Sequence, residues 1–356
     1  MKSIEELLQK TDNGIPVTDT SLVGLILSGQ HFFNIVFQNV DFTETVITQS
    51  NFENCVFNQC SFSGSDFSGS NLKGTVFLEC DLSGSLIKDV TVGNTAFNKC
   101  NITGSKWISQ KMKNVFIVES RLDDALFFDS VFNTVAMVQS IFTGASFEEC
   151  DFTNIAWTDT DFQVITMAAC IFHTSLLLNC NFTNLDLCGF RFEHCTFRGS
   201  DFTGARLNGA NLSGSNFSKS ILNRTEMNEA DITKTLFIDA DISESSFKSS
   251  DLSSAVFQNA TIHKTDFTKA VMIKNWFKKA EIRDCSFKKS VLDYSDFSYA
   301  FLAHNDFSRA GLDFTNFHCT DQNRNIMLGA SKKRMKKTDK KRQKAEKWTA
   351  ALEAIL

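Results

Sequence analysis

The side chains most capable of chemistry in this 356-residue chain are its eleven cysteines and six histidines. Eleven cysteines suggest a disulfide framework or a metal centre. Nine of them are separated by multiples of five residues: Cys55, Cys60, Cys80, Cys100, Cys150, Cys170, Cys180, Cys195 and Cys285. The histidines are scattered, and there is no Cys-x-x-Cys pair, His-x-x-x-His pair or glycine-rich phosphate loop. The meaning of the cysteines therefore depends on what the five-residue spacing does to the fold.

A five-residue period governs most of the chain. Stepping by five from Leu22 to Phe317 gives sixty positions, and every one is Leu, Phe, Ile, Met, Val or Trp. Thirty of the 36 phenylalanines lie on these centres, and the residue two positions before a centre is usually small. Neither a helix nor an ordinary strand repeats every five residues. The period predicts one uninterrupted repeat architecture.

The stretch from Ala205 to Ser218 shows the repeat most clearly, as Ala-Arg-Leu-Asn-Gly, Ala-Asn-Leu-Ser-Gly, Ser-Asn-Phe-Ser. It resembles the pentapeptide-repeat family, whose pattern is a small residue, Asp or Asn, Leu or Phe, and two variable residues. The resemblance covers roughly residues 20 to 318. It implies an all-β fold, a right-handed quadrilateral parallel β-helix of about 15 coils with four pentads per coil. The centre and the small residue would point inward and the other three residues outward.

The implied fold assigns the cysteines a packing role. The nine regularly spaced cysteines occupy the small inward position, where a free buried thiol can replace Ala or Ser. Cys60, Cys80 and Cys100 would stack in one column, so a metal or disulfide there is the alternative to core packing, which we favour. The histidines would all be outward. We therefore expect no catalytic residue, no cofactor and no metal, and we predict a protein that is not an enzyme.

With four pentads per coil, residues twenty apart would lie on the same face of the solenoid. The outward residues directly before the centres therefore form four columns, one on each face. On the face containing Val36, eleven of fifteen such residues are apolar, against three, four and four on the other faces. Either this is an exposed surface for a partner or a second copy, or β-branched residues simply favour a flat sheet. We favour the interaction surface, with these members: Val76, Leu78, Phe116, Val118, Val138, Leu176, Leu178, Leu236 and Trp276.

The adjacent face carries a row of carboxylates: Asp41, Asp81, Asp161, Asp201, Asp241 and Glu281. The family resemblance allows two interpretations. Some relatives are proposed to mimic nucleic acid and to protect type II DNA topoisomerases, and a row of carboxylates can imitate phosphates. Asp before the centre is also the family's ordinary residue, where it bonds the turn backbone. We favour the second interpretation.

Both ends of the chain differ from the repeat. Residues 3 to 10 predict a short amphipathic helix with a capping box at Ser3 and Glu6, as part of an N-terminal helical cap over residues 1–19. Such a cap would cover an otherwise open sheet edge. The repeat region is expected over residues 20–318 and a basic tail over 319–356.

The tail is strongly cationic. Residues 331–356 contain ten Lys or Arg and three Asp or Glu, whereas residues 1–330 contain 26 basic and 38 acidic residues. A helix is predicted from about 336 to 355. It could dock on or cap the solenoid, which we favour, bind nucleic acid or an anionic surface, or pair with a second copy as a homodimer. The residues concerned are Lys332, Lys333, Arg334, Lys336, Lys337, Lys340, Lys341, Arg342 and Trp348.

These features predict a scaffold or adaptor that binds protein partners through flat β-helix faces. Direct nucleic-acid binding is expected only through the basic tail. The Phe-rich pentads and the Trp107 and Trp157 centres also resemble the pentapeptide-repeat proteins of bacterial type VI secretion clusters, which implies an accessory role there. The alternative is the nucleic-acid mimic that protects a type II topoisomerase. We find no transmembrane segment and no signal-peptide pattern, so we expect a cytoplasmic protein.

Overall fold

The structure is a computed structural model that describes residues 4–353, with side chains as far as residue 348. It is nearly all parallel β-sheet, a β-solenoid of about 15 turns with two short helices. The chain divides into two compact units, Met1–Leu177 and Leu178–Leu356. Within residues 4–353, neither helix combines the length and apolar character that crossing a bilayer requires.

Each five-residue repeat forms one straight segment and one turn. Two residues after every centre except Phe162 the backbone turns through the left-handed region, as at Asn54 (φ 59°) and Gly74 (φ 70°). At many of these turns the next N–H donates to the carbonyl of the centre, for example from Cys55 to Phe52 at 3.0 Å. Asn and Gly tolerate this conformation best, which explains why they recur at the turn. Four such turns bring the chain back beneath itself after twenty residues.

The first unit begins with helix α1 (Ile4–Asp12) and contains two parallel sheets. The strands are β1 Val17–Ser21, β2 Val36–Asp41, β3 Val56–Asn58, β4 Val76–Leu78, β5 Leu86–Lys88, β6 Ala96–Asn98, β7 Lys106–Ile108, β8 Lys111–Val118, β9 Leu126–Phe128, β10 Val131–Val138, β11 Ser146–Glu148, β12 Asp151–Thr153, β13 Ala156–Thr158, β14 Thr166–Ala168, β15 Ile171–His173 and β16 Leu176–Leu178, with a 3-10 turn at Phe162–Val164. One sheet has the strand order β1-β2-β3-β4-β6-β8-β10-β12-β15, with β13 also paired to β10 and to β16; the other has the order β5-β7-β9-β11-β14. Partners are twenty residues apart, as in Val56↔Val76.

In the second unit most pentads meet through single β-bridges, again between residues twenty apart, such as Leu236↔Val256 and Val256↔Trp276. One five-stranded parallel sheet has the order β18-β19-β20-β21-β22. The elements are β17 Arg191–Glu193, β18 Asp241–Ser243, β19 Thr261–His263, β20 Glu281–Arg283, β21 Phe301–Ala303, β22 Asp321–Asn323 and helix α2 Lys340–Glu353.

The core is a set of stacked centres. All sixty predicted centres are buried except Met167, which is half-buried. Phenylalanines of successive coils stack face to face, with ring centroids 4.9 Å apart for Phe37 and Phe57 and 5.1 Å for Phe57 and Phe77. The small inward side chains fill the remaining corners and bond the backbone, as where Ser65 Oγ donates to the Phe42 carbonyl at 2.6 Å. Stacked coils thus close a core that no single coil could bury.

Gln110 places a long side chain at a small inward position. It is fully buried, and its Nε2 donates to the carbonyls of Ile87 (2.8 Å) and Ile108 (2.6 Å). The amide thereby reaches the same class of backbone acceptor that the shorter Ser and Cys residues use.

The N-terminal helix α1 places Leu7, fully buried, against the start of the solenoid and contacts β1. This agrees with the predicted lid, although β1 already pairs from Val17, three residues before the expected boundary. The predicted capping residue Ser3 lies outside the described residues.

At the other end the coil continues past the expected boundary at 318. Strand β22 pairs with β21, and bridges join Gly311 to Ser331 and Asn316 to Lys336. The apolar pattern did not predict this coil, because two of its centres are the polar residues Gln322 and Lys332. Backbone pairing with the preceding coil does not require apolar centres, since the ladder bonds are made by main-chain groups.

Helix α2 begins later than the predicted residue 336, because Lys336 belongs to this last coil. Its N-terminus is capped by Asp339, whose Oδ1 accepts from the N–H groups of Lys341 (2.9 Å) and Arg342 (3.1 Å).

Candidate functional site

An apolar row runs along one face of the first unit. Its members, each directly before a buried centre, are Val36, Val56, Val76, Ala96, Phe116, Ala136, Ala156 and Leu176. Consecutive members from Val36 to Ala156 are paired Cα partners in the ladder, and the Leu176 N–H donates to the Ile155 carbonyl at 2.8 Å. Eight coils at about 4.8 Å spacing give a row roughly 34 Å long.

The larger members of the apolar row are the exposed ones. Phe116 is 51% exposed and Leu176 45%, whereas the small Ala96, Ala136 and Ala156 are half-buried between them. Because successive side chains of a strand point to opposite faces, the residue after each centre emerges on the same side. A flanking row is formed in this way by half-buried Leu78, Val118 and Val138, with the polar Asn98 between Leu78 and Val118.

The structure thus brings together six of the nine residues predicted for the interaction surface. Val76, Leu78, Phe116, Val118, Val138 and Leu176 all lie on these two rows of the first unit. Leu178, half-buried, is the first residue of the second unit. Leu236 and Trp276 form a separate short row of the second unit through Val256, with Trp276 56% exposed.

The predicted carboxylate row is used largely by the turns. Asp81 Oδ1 accepts from the Ser83 N–H (2.9 Å), and Asp201 Oδ1 accepts from the Thr203 N–H (2.8 Å). Asp41 and Asp161 make the same contact with the residue two positions later. These bonds match the structural role favoured from the sequence.

The remaining two acidic residues bond side chains instead: Asp241 accepts from the Ser243 hydroxyl, and Glu281 pairs with Arg283. In the first unit the row is also interrupted, since Asn101, Arg121 and Ile141 follow Asp81 in the ladder. Its charges are therefore neither continuous nor free of partners.

Most of the buried thiols for which a pKa shift is resolved hold their proton tightly, whereas a hydrogen bond from Cys150 lowers the pKa of Cys170. The Sγ atoms of Cys60, Cys80 and Cys100 donate to backbone carbonyls at 3.4–3.5 Å. Hydrogen bonding to Cys100, together with burial, raises the pKa of Cys80 to about 12, and burial raises the pKa of Cys285 to about 12. A thiol in this state carries little of the thiolate that nucleophilic or metal chemistry needs. None of the eleven cysteines, all of which lie within the described residues, forms a disulfide.

One cluster that the sequence did not reveal joins helix α2 to the last coils. Glu346 accepts hydrogen bonds from the Tyr299 hydroxyl and pairs with His318 Nε2 at 3.0 Å, while the Arg342 Nε donates to it at 2.7 Å. Cys319 Sγ lies 3.3 Å from the same His318 nitrogen. His318, expected outward and exposed, is only 2% exposed because α2 covers it.

His318, Cys319 and Glu346 are residue types that hold zinc, and their ligand atoms lie within 4.8 Å of one another. The hydrogen bonds favour a different state. His318 Nδ1 accepts from the Asp339 N–H at 3.1 Å, so the neutral imidazole carries its proton on Nε2. That is the atom a metal would require unprotonated. The cluster fits a docking network rather than a metal centre.

The network also fixes the charge of Glu346. Its hydrogen bonds from Tyr299, His318 and Arg342 lower the Glu346 pKa to about 2, and the bond to Glu346 raises the Tyr299 pKa to about 12. The docking of the tail on the solenoid, favoured from the sequence, thus has a defined structural basis.

The basic residues predicted for the tail are divided between two elements. Lys332, Lys333, Arg334, Lys336 and Lys337 lie on the last coil, and Lys340, Lys341, Arg342 and Trp348 on α2. All are exposed, and Trp348 is 70% exposed. Arg334 lies over the Phe314 ring, with 5.5 Å from its Cζ to the ring centroid.

The coil of four pentads, the stacked centres and the left-handed turns define a β-solenoid of five-residue repeats. Family models agree: one described as a pentapeptide repeat region matches residues 50–127 and 170–247, and one described as pentapeptide repeats (8 copies) matches 235–272. Together they cover more than half of the chain. The protein belongs to the pentapeptide-repeat family.

The chain is also similar to several solved structures. HetL, a pentapeptide repeat protein involved in heterocyst differentiation regulation from the cyanobacterium Nostoc sp. strain PCC 7120, is 18% identical over 69% of this chain and 97% of its own, with a TM-score of 0.26. QnrB1, a plasmid-mediated fluoroquinolone resistance protein, is 19% identical over 64% and 86%, with a TM-score of 0.19. Rfr23 from the cyanobacterium Cyanothece 51142 is 12% identical over 40% and 98%, with a TM-score of 0.18. Among curated proteins no sequence matches.

Proposed function

We propose that this protein is a non-catalytic scaffold or adaptor that binds a protein partner on the apolar row of its first unit. The observation that carries the proposal is the row itself, eight paired positions with Val36, Val76, Phe116 and Leu176 at least 37% exposed. Apolar patches of this extent mark interaction sites more often than ordinary surface. The strands beneath are fully paired, so little ordering entropy is lost when a partner binds.

The proposal is tested with a Phe116→Glu, Leu176→Glu double variant in a pull-down from native lysate. A matched control is Phe128→Glu, Ile141→Glu, because these side chains are 36% and 51% exposed in the same unit but lie outside the apolar row. We expect at least ten-fold weaker capture of the principal partner with the first variant only, at low and high salt alike. Equal capture by both variants would refute the assignment.

The finer form of the proposal places the protein in the bacterial cytoplasm as an accessory of a type VI secretion system. Its support is the sequence resemblance of the Phe-rich and Trp-containing pentads. Co-purification of a secretion component that is lost with the Phe116→Glu, Leu176→Glu variant would support it. A homodimer through the apolar row is the competing outcome, and it would appear as a concentration-dependent mass that the same variant abolishes.

The alternative function, a nucleic-acid mimic that binds and protects a type II DNA topoisomerase, is supported by the excess of acidic residues in 1–330. It is weakened by the turn-bonding role of Asp41, Asp81, Asp161 and Asp201. Mimicry predicts that a topoisomerase is the main partner and is released by salt, since exposed charges are screened.

A further inference from the structure

The C-terminal end of the second unit carries an unusual density of exposed cations. Eight lysines form what is here called the basic end: Lys332, Lys333, Lys336, Lys337, Lys340, Lys341, Lys344 and Lys347. All are exposed, and among residues 4–348 none of the eight forms an ion pair with a carboxylate. Unpaired like charges repel one another, so a cluster of this kind is costly unless an anionic partner neutralises it.

The carboxylates nearest to the basic end are already engaged. Asp339 caps helix α2, Asp313 accepts from the Lys333 N–H at 2.7 Å, and Glu346 is held by Tyr299, His318 and Arg342. Hydrogen bonds from Ser331 and from the Lys333 N–H lower the pKa of Asp313, and the Lys333 charge adds to the effect, so Asp313 offsets part of one lysine charge. The other seven lysines have no ion-pair partner among residues 4–348, which leaves them available to an anionic partner.

Helix α2 is held in one orientation by the Glu346 network. Glu346 faces the solenoid, where it bonds Tyr299 and His318, whereas Lys341, Lys344 and Trp348 are exposed. Trp348, 70% exposed, follows Lys347 directly. Residues 348–356 have the sequence Trp-Thr-Ala-Ala-Leu-Glu-Ala-Ile-Leu, which is rich in apolar residues and contains no basic residue.

We propose that the basic end binds an anionic lipid bilayer surface, with the lysines at the headgroups and Trp348 at the polar boundary. Cations grouped before a tryptophan and an apolar stretch suit an interface with charged headgroups outside and acyl chains inside. Single-stranded nucleic acid would instead need several aromatic side chains on which successive bases stack, and between Lys340 and Trp348 the one aromatic residue is Trp348. The acidic residues of 1–330 would be repelled from the same surface, which leaves the basic end as the point of attachment.

The test is co-sedimentation of the full chain with vesicles of phosphatidylcholine alone and of phosphatidylcholine mixed with phosphatidylglycerol. We expect binding to the mixed vesicles only. A Lys340→Gln, Lys344→Gln, Lys347→Gln variant should partition about 100-fold more weakly, the change that corresponds to about 1 kcal/mol for each cation. The control Lys219→Gln, Lys234→Gln, Lys269→Gln removes the same charge from exposed lysines elsewhere in the second unit and should bind like the wild type.

A second readout follows Trp348. Its fluorescence should shift to shorter wavelength with mixed vesicles, and Trp348→Phe should remove the shift. The buried Trp107 and Trp157, and the exposed Trp276, which is not part of the basic end, should report none. Binding to both vesicle types alike, binding to neither, or an equal loss with the control variant overturns the proposal. Salt-sensitive binding to duplex DNA without binding to mixed vesicles would assign the basic end to nucleic acid instead. The apolar row is untouched in all of these variants, so the outcome is independent of the proposed adaptor function.

Discussion

Two asparagines at the same inward position of the repeat should respond in opposite ways to the same substitution. Asn275 and Asn305 are both fully buried in the second unit. Asn305 is bonded: its Nδ2 donates to the Ile282 carbonyl (2.9 Å) and Asn325 Oδ1 (3.0 Å), and its Oδ1 accepts from the Cys285 N–H (2.9 Å). Within the described residues neither the Oδ1 nor the Nδ2 of Asn275 has a hydrogen-bond partner.

The magnitudes follow from these contacts. A buried amide without partners costs about 1–3 kcal/mol, and truncating Asn to Ala opens a void that costs about 1 kcal/mol. We therefore expect Asn275→Ala to stabilise its coils by about 1 kcal/mol. Asn305→Ala removes three hydrogen bonds and leaves the Cys285 N–H unpaired, so we expect it to destabilise by about 2–4 kcal/mol.

The assay is native-state hydrogen exchange, resolved by mass spectrometry, because coils of a solenoid open locally with their neighbours. Peptides covering residues 255–295 should exchange more slowly in Asn275→Ala, and peptides covering 285–325 faster in Asn305→Ala. If Asn275→Ala accelerates exchange as Asn305→Ala does, the inward amide is stabilising at both sites and the reasoning from unpaired buried atoms is wrong.

Three further predictions concern the tail, a turn and the thiols. The folded-state pKa of Glu346 is about 2, below its ordinary 4.5, so its contribution to docking α2 is complete above about pH 4.5 and is lost as the pH falls towards 2. Limited proteolysis of α2 across this pH range measures the loss. Glu346→Gln should make α2 more susceptible to the protease already at pH 7. In urea unfolding, Gly74→Ala should lower the free energy of unfolding by about 1 kcal/mol or more beyond the effect of Gly29→Ala. Both glycines have positive φ, but only the Cβ added at position 74 meets another side chain, at Asn54 Oδ1. Equal effects of the two substitutions would show that the backbone conformation alone determines the cost. A maleimide at pH 8 should modify the exposed Cys188 well before Cys55, Cys80 or Cys285, whose pKa values lie near 11–12; mass spectrometry showing early labelling of a buried thiol would contradict this.

The five-residue period was enough to predict the repeat fold, its core and the position of the thiols. An inward centre such as Phe57 must be apolar, because it is packed by the coils above and below, and a neighbour such as Cys60 must be small to fit beside it. These constraints act at each coil from Leu22 to Phe317, so the sequence repeats them every five residues.

The same period placed Val76, Phe116 and Leu176 on one face, because a strict register of twenty residues leaves no freedom in which residues become neighbours. What binds there is not a property of the register. The partner therefore stays a proposal.

Only the tertiary structure decided how the chain ends. The coil carrying Gln322 and Lys332 lacks the apolar pattern, yet it pairs through its main chain with the coil before it. Helix α2 is held by Tyr299, His318 and Glu346, which are up to 47 residues apart and share no period. Such contacts depend on how the helix packs against the folded solenoid. A periodic sequence pattern predicts only interactions that recur in every repeat, so it cannot predict a contact that is made once.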